Sequence, residues 1–247
     1  MPENNTPSDK AKKPACEKPL EKRLIVALDF SDENTTLHFV EQIDPDLCRV
    51  KVGKELFTSC GPSLVKILVA KGFDVFLDLK YHDIPHTVGS ACRAAADLGV
   101  WMMNVHAMGG QAMMEAARNV LNTADSPLLI AVTLLTSSGQ KELDALGIAS
   151  TPVAFVSKLA TMAQTAGLDG VVCSAQEAAM LRKTLGAEFN LVTPGIRLAT
   201  DSSDDQLRIC TPEQAINNGV NYLVIGRPVT QAKDPCKVIL TINNSIR

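Results

Sequence analysis

Eight short apolar runs recur along the chain, each followed by a longer run with one apolar face, and this alternation limits the folds available. The short runs cover residues 24–30, 49–53, 74–80, 102–107, 128–135, 170–174, 190–195 and 222–227. Several are apolar at successive positions, as in Leu24-Ile-Val-Ala-Leu28 and Leu128-Leu-Ile-Ala-Val132. A strand apolar on both faces belongs in a parallel sheet covered by helices. The helical candidates between them are residues 33–43, 62–71, 85–98, 111–121, 152–166, 175–185, 212–218 and 229 to the C-terminus. Eight β/α units in 247 residues predict an α/β fold, a single closed (β/α)8 or TIM barrel. No G-x-G-x-x-G follows the first run, which disfavours an open dinucleotide-binding sheet.

Composition narrows the function classes. The chain is 46% hydrophobic and 21% charged, which suits one globular domain over residues 21–247. A net charge of −3 gives no hint of a nucleic-acid surface. No apolar run approaches the roughly 20 residues of a membrane helix. Residues 1–20 are polar, contain Pro2, Pro7, Pro14 and Pro19, and lack the apolar core of a signal peptide; they read as a flexible leader. The seven cysteines are scattered, with no C-x-x-C pair, so neither a zinc site nor a disulfide framework is expected. A reducing cytoplasm is the expected location.

Two charges interrupt the third run, Val75-Phe-Leu-Asp78-Leu-Lys80. Alternate strand residues share a face, so the two heads point the same way, with Cα atoms roughly 6.6 Å apart. Asp83 follows three residues later, and Pro85 suits the first turn of a helix. An ordinary ion pair is the simplest account of a D-x-K pattern. Charge at the end of a buried strand is expensive unless it is used, which favours a catalytic array.

In a barrel of this kind the chemistry sits at the C-terminal ends of the strands. Asp29, Lys51, Lys54, Asp78, Lys80, His106, Thr136, Ser137, Arg197 and Arg227 all fall at or just beyond such ends. The loops after strands seven and eight offer Gly195, Arg197, Gly226 and Arg227, a pattern that fits a phosphate site. His106 reads most simply as a hydrogen-bonded structural residue. His82 and His86 lack further ligands at metal spacing, so no metal is expected there. Met102, Met103, Met113 and Met114 read as core filler.

These residues resemble orotidine 5′-monophosphate decarboxylase of the bacterial type, from about residue 24 to the C-terminus. The anchors are Ala27-Leu-Asp29, Lys51-Val-Gly-Lys54, Phe76-Leu-Asp-Leu-Lys-Tyr-His-Asp-Ile-Pro85, Asn104-Val-His-Ala107, Leu135-Thr-Ser137, Thr193-Pro-Gly-Ile-Arg197 and Ile225-Gly-Arg227. The resemblance implies decarboxylation of orotidine 5′-monophosphate to UMP, with no metal or organic cofactor. It implies a catalytic array of Lys51, Asp78, Lys80 and Asp83. Asp29 and Lys51 would contact the ribose, and Thr136 the region of the pyrimidine. Arg197, Gln206, Arg227 and the Gly226 backbone would grip the phosphate. Asp83 and Thr87 would reach the site of a neighbouring subunit, so a homodimer is implied. Gln206 lies in residues 198–210, a loop long enough to predict a mobile lid.

Two rivals share these residues. A magnesium-dependent decarboxylase or aldolase acting on a sugar phosphate can carry the same D-x-K-x-x-D, although a second lysine at position 51 disfavours a divalent cation. A non-catalytic phosphate-ligand binder is the other; intact Lys80 and both aspartates speak against it.

Overall fold

The computed structural model describes residues 22–197 and 210–247. The leader, Gln206 and nearly all of the expected lid loop lie outside the described residues. Eight parallel strands close into a barrel in chain order, with β8 completing the circle against β1. They are β1 (Leu24–Ala27), β2 (Arg49–Gly53), β3 (Val75–Tyr81), β4 (Met102–His106), β5 (Leu128–Val132), β6 (Gly170–Val172), β7 (Asn190–Pro194) and β8 (Tyr222–Ile225).

The apolar residues on both strand faces have two destinations. Ile25, Phe76, Met102, Ile130, Val192 and Val224 point inward and pack together inside the barrel. Their neighbours Leu24, Val26, Leu77, Met103, Leu129 and Leu191 point outward into a second, larger core beneath the helices. Met113 and Met114 are buried in that outer layer, as expected of filler. At the N-terminal end the Arg49 guanidinium lies 4.0 Å from the Trp101 ring and 5.2 Å from that of Tyr222. Its Nε donates to Asp74 at 3.2 Å. This cluster closes the barrel floor and leaves the opposite rim for chemistry.

The outer layer contains α1 (Glu33–Val40), α2 (Lys54–Ala70), α3 (Pro85–Ala96), α4 (Gln111–Asn119), α5 (Gln140–Ala145), α6 (Pro152–Thr165), α7 (Ala178–Leu185), α8 (Pro212–Asn217), α9 (Arg227–Thr230) and α10 (Pro235–Ser245). Proline opens α3, α6, α8 and α10, where its missing N–H is not needed and its φ already suits a helix. Asp32, Thr151, Thr211 and Asp234 cap α1, α6, α8 and α10 through their side chains.

Several boundaries differ from the sequence expectation. The second helix begins at Lys54 instead of residue 62; Gly61, at φ 67°, kinks it, and the expected helix corresponds to the part from Pro62 onward. The last helical run is two helices, because Pro235 cannot join a helix interior and the Asp234 cap restarts the chain. Strand one stops at Ala27 and strand five at Val132; beyond them the chain peels off into the rim loops, which include the unanticipated α5.

Candidate active site

The rim charges form one chain of contacts. Lys51, near the end of β2, has its Nζ 3.2 Å from Asp29 Oδ1 and 3.5 Å from Asp78 Oδ2. Lys80 Nζ donates to Asp78 Oδ1 at 2.6 Å. The order is therefore carboxylate, amine, carboxylate, amine across β1, β2 and β3. Strand pairing and register create it: Ala27 pairs with Lys51, and Lys51 with Phe76, so inward side chains of neighbouring strands meet just above the interior core. The Asp78 side chain is only 13% exposed and that of Lys51 10%, whereas Asp29 is 66% exposed. Gly53 makes room for the array, since a Cβ there would lie 3.2 Å from Lys51 Nζ.

Asp78 stays ionised. Burial pushes its carboxyl up, but the Lys51 and Lys80 charges, with hydrogen bonds from Lys80 and Asn104, outweigh burial and hold it below the usual carboxylate range. Asn104, on β4, donates from Nδ2 to Asp78 Oδ1 at 2.7 Å and accepts the Lys80 backbone N–H at 2.8 Å. In sequence Asn104 is part of the motif Asn104-Val-His-Ala107, with no role in the site attached to it. Its signal was an amide amid the apolar run Met102-Met-Asn-Val105.

A cavity of about 210 Å³ opens beside this array. Lys51, Asp78, Lys80 and Thr136 line it, and Phe76 and Val192 are among the mostly apolar remainder. Gly226 lies at the same rim, where an added Cβ would sit 3.5 Å from Asp29 Oδ2. Arg227 is exposed and opens α9; Arg197 follows β7, its backbone N–H bonded to the Cys210 carbonyl at 3.2 Å. Arg197 and Cys210 flank residues 198–209, which include Gln206 and lie outside the described residues.

Asp83 and Thr87 stand apart. Both are exposed, in the loop after β3 and the first turn of α3. Asp83 Oδ1 accepts the N–H of Ile84 at 2.6 Å, and it forms no ion pair with Lys51 or Lys80 among the described residues. Between them Ile84 is 65% exposed. His106 differs from expectation: its ring stacks on His82 at 5.4 Å, and its buried Nδ1 has no hydrogen-bond partner. Burial, then the nearby His82, Lys54 and Lys80 charges, lower its pKa, so it is neutral near pH 7.

A family model described as "Orotidine 5′-phosphate decarboxylase / HUMPS family" matches residues 22–242. The chain belongs to the orotidine 5′-phosphate decarboxylase / HUMPS family. Relatives named orotidine 5′-phosphate decarboxylase support the assignment. The protein of that name from Laribacter hongkongensis is 61% identical over 221 residues, covering 89% of this chain and 91% of that protein. The one from Psychromonas ingrahamii is 57% identical over 226 residues, covering 91% and 97%. Among solved structures, orotidine 5′-phosphate decarboxylase from Lactobacillus acidophilus superposes with a TM-score of 0.83 at 36% identity, covering 92% of this chain and all of that one. The family match takes in every rim residue named above.

Proposed function

We propose that this chain decarboxylates orotidine 5′-monophosphate to UMP and carbon dioxide, the last step of de novo UMP synthesis. The observation that carries the proposal is the alternating array Asp29–Lys51–Asp78–Lys80 beside the rim cavity, in a chain of this family. Breaking the bond between C6 and the carboxylate leaves an electron pair at C6 with no attached sink. The Lys80 ammonium stabilises that charge and transfers a proton to C6; the neutral amine then takes a proton from solvent. Asp78 orients Lys80 and faces the substrate carboxylate. Two like charges about 4 Å apart repel by roughly 4 kcal/mol at an effective dielectric of 20. At about 1.4 kcal/mol per tenfold, repulsion supplies some three powers of ten, so stabilisation of the carbanion must supply more.

Asp29 and Lys51 take the ribose hydroxyls in this reading, and Thr136 lies by the pyrimidine. Arg197, Gln206, Gly226 and Arg227 take the phosphate. Asp83 and Thr87 complete the site of a second copy of the chain, making the working unit a homodimer; their exposure and the intervening Ile84 support this. No metal or organic cofactor is invoked. Lys51 Nζ fills the space between Asp29 and Asp78 that a divalent cation would need. A cytoplasmic location belongs to the same reading, consistent with the six described cysteines, which are all free. Among the described residues no helix is long and apolar enough to cross a membrane. Adding orotidine 5′-monophosphate to EDTA-treated protein should cause loss of pyrimidine absorbance. Unchanged absorbance, or turnover that returns only with magnesium, would overturn the proposal.

A further inference from the structure

The ladder between β3 and β4 breaks beside the reacting groups. Leu77 pairs with Met103, and the next pair is Tyr81 with Val105. Four steps along β3 therefore match two along β4, and the surplus residues bulge. Lys80 lies in the bulge at φ 52°, the left-handed region. A bulged strand leaves backbone groups without a neighbour, and a buried N–H needs a partner.

Asn104 lies on β4 opposite the break. It is fully buried, and its amide has one orientation that satisfies both neighbours. Oδ1 accepts the Lys80 N–H and Nδ2 donates to Asp78 Oδ1, the oxygen that also receives Lys80 Nζ. Turned over, it would set N–H against N–H and oxygen against carboxylate. Asn104 is not among the residues lining the cavity, although Asp78 and Lys80 are.

We infer that Asn104 is a positioning residue for the decarboxylation: its side chain replaces the missing ladder rung and so holds both the Lys80 backbone and the Asp78 carboxylate in reacting geometry. The inference rests on the function proposed above. The groups facing Asp78 are Lys51 from β2, Lys80 from its own strand and Asn104 from β4, with Asp29 of β1 beyond Lys51. Removing the Asn104 donor takes away one of the contacts that keep Asp78 ionised.

Asn104→Ala should lower kcat about 100-fold, the effect of a misplacement near 1 Å, with KM changed far less. Asn104→Asp has nearly the same shape, which guards against a simple folding failure. Ionised, it sets a second carboxylate against Asp78; protonated, it regains a donor. Its kcat should therefore rise as pH falls from about 8 toward 6, while that of the natural protein does not. A kcat within about threefold of the natural value in folded Asn104→Ala, or a natural pH profile in Asn104→Asp, would overturn the inference. A readout independent of turnover is the Asp78 carboxyl followed by ¹³C NMR titration. Its pKa should rise in Asn104→Ala, and an unmoved pKa would sink the inference. Absence of turnover in the natural protein would count against the proposed function, and the titration would still decide the role of Asn104.

Discussion

Lys80 combines an unfavourable backbone with the shortest ion pair of the rim, its ammonium 2.6 Å from Asp78 at φ 52°. Among the described residues it is the one non-glycine at positive φ. Such a conformation costs about 1–2 kcal/mol and persists where surrounding structure imposes it. Lys80→Ala should lose at least about 10³-fold in kcat while remaining folded, because proton donor and electrostatic partner vanish together. Near-natural turnover would remove Lys80 from its role. Lys80→Gly should be as inactive yet more stable than Lys80→Ala by about 1 kcal/mol in urea denaturation, since glycine tolerates this φ. Arg227 tests the other end of the substrate. Arg227→Ala should weaken binding of the nucleotide by roughly 1.5–3 kcal/mol and leave the nucleoside almost unaffected. Titration calorimetry giving equal losses for both would place the phosphate elsewhere.

At the scale of elements, two glycines are required for different physical reasons. Gly61 bends α2 at φ 67°, and an added Cβ would meet nothing within 4 Å. Gly61→Ala therefore pays only backbone strain, about 1 kcal/mol. Gly170 begins β6, and a Cβ there would lie 2.3 Å from the Asn190 carbonyl oxygen of β7. That overlap is with backbone and cannot be relieved by turning a side chain. Gly170→Ala should cost more than about 2 kcal/mol, because the strand pair must move apart in a closed barrel. Urea midpoints of the two variants check the order; equal losses would mean that the barrel wall yields as easily as the helix kink.

For the whole molecule the question is where Asp83 acts. It sits three residues beyond Lys80, exposed, with Pro85 turning the chain into α3 and away from the barrel axis. If it completes the site of a second copy, two inactive variants should rescue each other. Lys80→Ala spoils its own site and Asp83→Ala spoils its partner's. In a mixed dimer one site takes Lys80 from one chain and Asp83 from the other, and is whole. Random exchange puts half the dimers in mixed form, each with one good site of two, so about a quarter of natural activity should return. No rescue after demonstrated subunit exchange would place Asp83 within its own site.

Much of this architecture was legible in the residues alone because its signals are local. Strands apolar on both faces require cover on both faces, and eight of them separated by helical runs left the barrel as the economical solution. Proline at 85, 152 and 212 marked helix starts because its φ is set by its own ring. Period-two alternation predicted Asp78 and Lys80 on one face, and the two heads do meet, but through a bulge that breaks the alternation at Lys80. The kink at Gly61 was missed because glycine permits positive φ without demanding it. Other features depended on which strands became neighbours and in what register. The wedge of Lys51 between Asp29 and Asp78 exists because pairing sets β1, β2 and β3 side by side in one register. The bulge at Lys80, and with it the place of Asn104, follows from a mismatch between two strands that are some twenty residues apart in the chain. Local sequence determined which groups stand at the rim; pairing across the barrel decided which of them touch, since hydrogen bonds between strands answer to register and not to the pattern within either strand.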